Sequence, residues 1–136
     1  MFCEVSPHEL KKMDFFHQKR KENKDLIQNI FYSIKGLKFP KNYEDADVSW
    51  FGVPIICESS KQKNKLVNYL ESNGIQTRNY FAGNILLHPA YKHLESWKEY
   101  PEANKVLEKV FFLGSSPTIT DGNIKYMKRM VDAYEN

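Results

Sequence analysis

The sequence predicts an α+β domain in which helices cover a short sheet. Three observations lead there. Amphipathic stretches with three- and four-residue apolar spacing alternate with short runs rich in aromatic and β-branched residues. The order reads helix, strand, helix, strand, short turn, helix, strand, helix, with three short strands and helices long enough to cover one sheet face, so an α+β sandwich is the natural solution. Finally, 136 residues that are 41% hydrophobic and 14% aromatic are enough for one core and too few for two.

The first helix is predicted to begin at Ser6-Pro7-His8-Glu9, a Ser N-cap with Pro at N1 and Glu at N3. Leu10, Met13, Phe16, Leu26, Ile27, Ile30, Phe31 and Ile34 supply its apolar stripe, and Gly36 is expected to end it. The stripe is interrupted, because residues 17–25 are nearly all polar. A polar connection then leads to VSWFGVPIIC, residues 48–57, read as a strand that Pro54 confines to a sheet edge or a bulge. Trp50 and Phe51, adjacent on such a strand, would point to opposite faces.

Ser59 or Ser60 caps a second helix that runs to Asn73 with Leu66, Val67 and Leu70 inward, and Gly74 terminates it. A strand is expected from Ile75 to about Asn79. His88-Pro89 breaks the run from Asn84 to Leu94, so a short helical turn is expected there. Pro101 opens a helix through Lys109, VFFLG at 110–114 is a compact strand, and Thr120 caps a last helix with Ile124, Met127, Met130 and Val131 inward.

Several function classes are disfavoured. Twenty basic against seventeen acidic residues give a net charge of +3, too small to demand an anionic partner. The basic stretch KKMDFFHQKRK is diluted by acids and accompanied by no aromatic-glycine RNA motif, so a solvated helix face is the better reading and no nucleic acid is expected. Cys3 and Cys57 form no CxxC pair, and the first residues lack the pattern of a signal peptide. No membrane span is expected, and a cytoplasmic setting is the default. His88 and His93 lie five apart, off the shared helix face that a metal pair needs, and no metal is expected.

The segment Thr77–Tyr91, TRNYFAGNILLHPAY, carries the binding candidates. Arg78 at a strand end can hold a phosphate or carboxylate with its planar fork, or make a surface ion pair. Asn84 can cap the following turn through its side-chain oxygen. His88 can donate to a substrate or satisfy local backbone, and Tyr91 offers a packable ring with a polar tip. No nucleophile-base pair, glycine-rich phosphate loop or paired carboxylates emerge, and no catalytic residue is assigned.

Taken together, SWFGVPI at 49–55, GIQTRNYFAGNILLHPAYK at 74–92 and ANKVLEKVFFLG at 103–114 resemble the C-terminal part of the DegT/DnrJ/EryC1/StrS family. Residues 10–27 are also similar to that family's helix leading from the large domain into the small one. The wording is nearest the sugar 3-dehydratases, in particular the CDP-4-dehydro-6-deoxyglucose 3-dehydratase type of lipopolysaccharide biosynthesis. The sequence departs from that branch at His88, where Gln is frequent, and at SSPTIT, residues 115–120.

The resemblance implies the small C-terminal domain of the aspartate aminotransferase fold, with a short, mostly antiparallel sheet covered by helices. Residues 1–36 would be a long connecting helix and 37–136 the α+β domain proper, with the large cofactor-binding domain absent from this chain. It further implies a pyridoxal-phosphate enzyme acting on nucleotide-linked sugars, as dehydratase or aminotransferase, and a homodimeric parent. Arg78, Asn84, His88 and Tyr91 would form part of the substrate pocket. The cofactor belongs to the parent enzyme, so this chain alone would bind none and would be inactive, because the cofactor carries the carbanion chemistry. A free-standing, non-catalytic interaction domain is the alternative.

Overall fold

The computed structural model describes residues 10–134. Its elements are α1 (Met13–Phe31), β1 (Gly52–Ile56), α2 (Ser60–Ser72), β2 (Arg78–Asn79), two 3₁₀ turns (Ile85–Leu87 and Trp97–Glu99), α3 (Pro101–Lys109), β3 (Val110–Gly114) and α4 (Asp121–Tyr134). The three strands form one antiparallel sheet in the order β1-β3-β2. β1 and β3 pair along five residues, from Gly52 opposite Gly114 to Ile56 opposite Val110. β2 adds only Arg78 opposite Phe112 and Asn79 opposite Phe111. Pro54 lies on the edge strand, as its missing N–H requires.

Alternation along the strands sorts the sheet into two faces. Val53, Ile55, Phe111 and Leu113 point inward onto Ile27 and Phe31 of α1, Leu66 and Leu70 of α2, and Met127 and Val131 of α4. Each of these ten side chains is buried, so the core is one continuous layer between sheet and helices. The Tyr69 hydroxyl donates to the Met130 carbonyl at 2.8 Å and ties α2 to α4.

Local signals set most boundaries. The Ser59 hydroxyl accepts from Gln62 N at 3.2 Å and starts α2. Asn73 closes it, and Gly74 follows with φ +71°. Pro101 stands in the first turn of α3. Thr120 and Asn123 exchange side-chain and backbone hydrogen bonds at the start of α4, as a capping box does.

The first helix differs most from expectation. The Ser6–Glu9 cap lies outside the described residues, and α1 starts at Met13 with Lys12 as an N-cap that makes no side-chain cap bond. Gly36 does not end it; Tyr32 is the C-cap, and Gly36 serves a later turn at φ +85°. Leu10, Met13 and Leu26 are exposed, because the stripe packs only from Ile27 onward. In the polar stretch, Asn23 is buried and donates to the Ser116 carbonyl at 2.7 Å, a tertiary contact that replaces an apolar one. Two strands are also shorter than expected. Pairing in β1 begins at Gly52, so Trp50 and Phe51 precede it, and β2 has two residues because Ile75 is drawn into the core by the turn closing α2.

Candidate functional site

The outer face of the sheet carries Gly52, Pro54 and Phe112, and register places Arg78 there too, since it sits directly opposite Phe112. Among the described residues no helix covers this face. Instead Phe112 is roofed by aromatic rings from two loops: Phe51 with a ring centroid 5.8 Å away, Tyr80 at 6.3 Å and Phe81 at 5.5 Å. Together with Trp50, Gly52 and Pro54 they line an open depression of about 280 Å³. Trp50 and Phe51 therefore face the same hollow, not opposite sides of a sheet.

Close approach explains the small residues at its floor. A Cβ on Gly52 would lie 2.4 Å from the Phe112 ring. The Ser115 hydroxyl donates to the Trp50 carbonyl and Ser115 N to the Phe51 carbonyl, which fixes one lip. Phe51 and Phe81 nevertheless remain 64% and 69% exposed, a contiguous aromatic surface of the kind that accepts a partner.

Arg78 is exposed on the short strand at the other side of this surface. Its neighbour Glu71 is engaged elsewhere: Thr77 donates to Glu71 Oε1 through its backbone N at 2.5 Å and its Oγ1 at 2.7 Å. Those bonds hold the Glu71 carboxyl below its usual range, with the charge of Arg78 a smaller contribution. The guanidinium thus stands beside an acid already satisfied by other donors, and its fork is presented to solvent.

The other sequence candidates divide. Asn84 is buried and donates to Trp97 O at 2.9 Å and Asn104 Oδ1 at 2.8 Å while accepting from Leu86 N at 3.0 Å. Both amide hydrogens are committed within the protein, and Asn84 lines a separate depression with Gly83, Ile85, Leu86 and Leu94. His88 ends the first 3₁₀ turn and leans back toward the loop that carries Phe81, its Nε2 3.5 Å from Ala82 O. Tyr91 is bonded through its backbone N to His88 O and leaves its ring partly exposed. The structure therefore brings His88 against the loop that carries Phe81, but none of Asn84, His88 and Tyr91 is among the residues lining the aromatic depression.

Sequence reasoning missed the ring cluster and one buried cation. Tyr80 and Phe81 stood inside the chosen segment, but only the fold of the loop over Phe112 reveals their role. Lys63 is 5% exposed, with Nζ donating to Asn79 Oδ1 at 2.8 Å and Leu107 O at 2.7 Å. A signal was present, because Lys63 lies three and seven residues before Leu66 and Leu70 and so shares their helix face. Burial pushes its pKa down, and burial likewise raises that of the nearby Cys57 thiol to about 11. Among the described residues no three His, Cys, Asp or Glu side chains converge to hold a metal, and no helix is long and apolar enough to cross a membrane.

Comparison with known proteins decides the family. Residues 1–132 match the DegT/DnrJ/EryC1/StrS aminotransferase family. The chain belongs to this family. Among DegT/DnrJ/EryC1/StrS relatives, dTDP-4-dehydro-2,6-dideoxy-D-glucose 3-dehydratase of Saccharopolyspora spinosa is 32% identical over 88% of this chain and 27% of its own length. Lipopolysaccharide biosynthesis protein RfbH of Salmonella typhimurium is 27% identical over 88% of this chain and 28% of its own. The chain thus spans little more than a quarter of the curated relatives it matches.

Solved structures share the fold. DesV from S. venezuelae, crystallised with a ketimine intermediate, superimposes on 93% of this chain with a TM-score of 0.80 at 19% identity, using 34% of its own chain. The aminotransferase TlmJ from Streptoalloteichus hindustanus gives 0.78 over 93% of this chain and 33% of its own, also at 19% identity. The expected family, the 3-dehydratase and lipopolysaccharide wording, and the aminotransferase-type small α+β domain are thereby borne out.

Proposed function

We propose that these residues form the small domain of a pyridoxal-phosphate-dependent enzyme of nucleotide-linked deoxysugars, a 3-dehydratase or aminotransferase, and supply one wall of its substrate pocket. The observation that carries this reading is the juxtaposition of Arg78 with an open aromatic depression on one sheet face. Flat rings suit the base or sugar faces of the ligand, and the guanidinium suits its diphosphate. His88 and Tyr91 extend the wall along the loop, and Asn84 sets the wall's shape.

The described residues do not fit the cofactor itself. The buried lysine among them, Lys63, has its ammonium engaged by Asn79 and Leu107 and cannot also serve a carbonyl. On this reading pyridoxal phosphate, the electron sink when bound, is held by a second, cofactor-bearing domain. The homodimeric parent belongs to the same proposal, as does the inactivity of these residues on their own.

The test is Arg78→Ala in a protein that unites this domain with the cofactor-bearing one. Loss of a charged hydrogen bond to the substrate, about 1.5–3 kcal/mol, lowers kcat/KM roughly ten- to hundredfold. Unchanged kcat and KM would remove Arg78 from the site. Tight capture of an unrelated protein by the aromatic face, without any nucleotide affinity, would favour the interaction-domain alternative.

A further inference from the structure

The loop bearing Tyr80 and Phe81 is weakly supported by its own strand, since β2 is only two residues long. Two other contacts hold it, and both converge on Leu107 in the last turn of α3. Before the rings, Asn79 offers Oδ1 to Lys63 Nζ, which also donates to the Leu107 carbonyl. After the rings, Gly83 adopts φ +62° and presses its backbone on the Leu107 side chain so closely that a Cβ would lie 2.8 Å from Cδ1. Tyr80 and Phe81 are thus suspended between two anchors on one residue.

A lysine is rarely buried without a carboxylate unless something else satisfies it. Here the carbonyl belongs to the last turn of a helix, where carbonyls lack intrahelical partners and the dipole favours a cation. Asn79 takes a second of the three ammonium hydrogens. Leucine at this point of α2, in line with Leu66 and Leu70, would fill the stripe but remove the tie from β2 to α2 and α3.

We propose that Lys63 is a positioning residue: its buried ammonium, bridging Asn79 Oδ1 and the Leu107 carbonyl, fixes where β2 and the following loop present Arg78, Tyr80 and Phe81. Its value to ligand binding rests on the function proposed above, but its effect on the loop does not.

The experiment compares the unaltered 136-residue chain with Lys63→Met, Asn79→Ala, Asn79→Asp and the core control Leu70→Val. Backbone order parameters are measured by NMR, and affinity for dTDP is followed through Trp50 fluorescence in a Trp97→Phe background. In Lys63→Met and Asn79→Ala, order parameters over residues 79–83 fall from about 0.85 to below about 0.6, while β1 and β3 stay rigid. Asn79→Asp retains an acceptor for the ammonium and keeps the loop ordered, and Leu70→Val leaves residues 79–83 as they were. Where dTDP binds the unaltered chain, Lys63→Met weakens it about tenfold and Asn79→Asp does not. Should Lys63→Met fail to fold, the contrast between Asn79→Ala and Asn79→Asp decides. Unchanged loop order in Asn79→Ala, or an equal loss of order throughout the domain, overturns the proposal. Absence of dTDP binding to the unaltered chain counts against the substrate-wall reading alone, with the order parameters still deciding the role of Lys63.

Discussion

The two faces of the sheet are built from the same strands and opposed in every other respect. Inward, Val53, Ile55, Phe111 and Leu113 meet three helices and are sealed. Outward, Phe112 meets the rings of Phe51, Tyr80 and Phe81, two of which remain mostly in solvent. Phe111 and Phe112 are neighbours in sequence and equal in chemistry, yet one holds the fold together and the other floors an open depression. Position on the pleat, not residue type, assigns the role.

The sharpest way to break that contrast is Phe111→Ala. It empties the centre of the inner layer and should cost about 3–5 kcal/mol, read as a large drop in the urea midpoint. Asn84→Ala comes next: it strands the Leu86 N–H and the Asn104 side chain, a loss of about 1–3 kcal/mol in the same assay. Phe51→Ala should have the smallest effect on folding, under about 1 kcal/mol, because the ring is largely exposed and gives up only aromatic edge contacts. On the function proposed above, its consequence belongs to ligand affinity. Equal destabilisation by Phe111→Ala and Phe51→Ala would dissolve the division between the faces.

How far the sequence could be read follows the range of the interactions. α2, α3 and α4 were legible because Ser59, Gly74, Pro101 and Thr120 act on groups within four residues of themselves. VFFLG was legible as a strand from its composition alone. α1 was not, since its polar centre is reconciled by Asn23 reaching Ser116, 93 residues away. Arg78 was singled out by its donor chemistry alone, whereas the capping role of Asn84 was legible from its place before the turn. What it takes to see a surface is register: Arg78 shares a face with the rings only because it pairs with Phe112, 34 positions later. Lys63 was hidden for the opposite reason, since its charge argued for solvent and only tertiary partners on α3 and β2 reverse that inference.

Pro54 has a further effect at the sheet's outer edge. Residues 53 and 55 of β1 turn their backbone toward β3, so 52, 54 and 56 turn theirs outward. Ile56 is closed by reciprocal hydrogen bonds with Lys38, and Pro54 has no hydrogen to offer. That edge therefore offers no continuous ladder to another strand, so two copies meeting through their aromatic faces would find β1 a poor template on which to grow into aggregates.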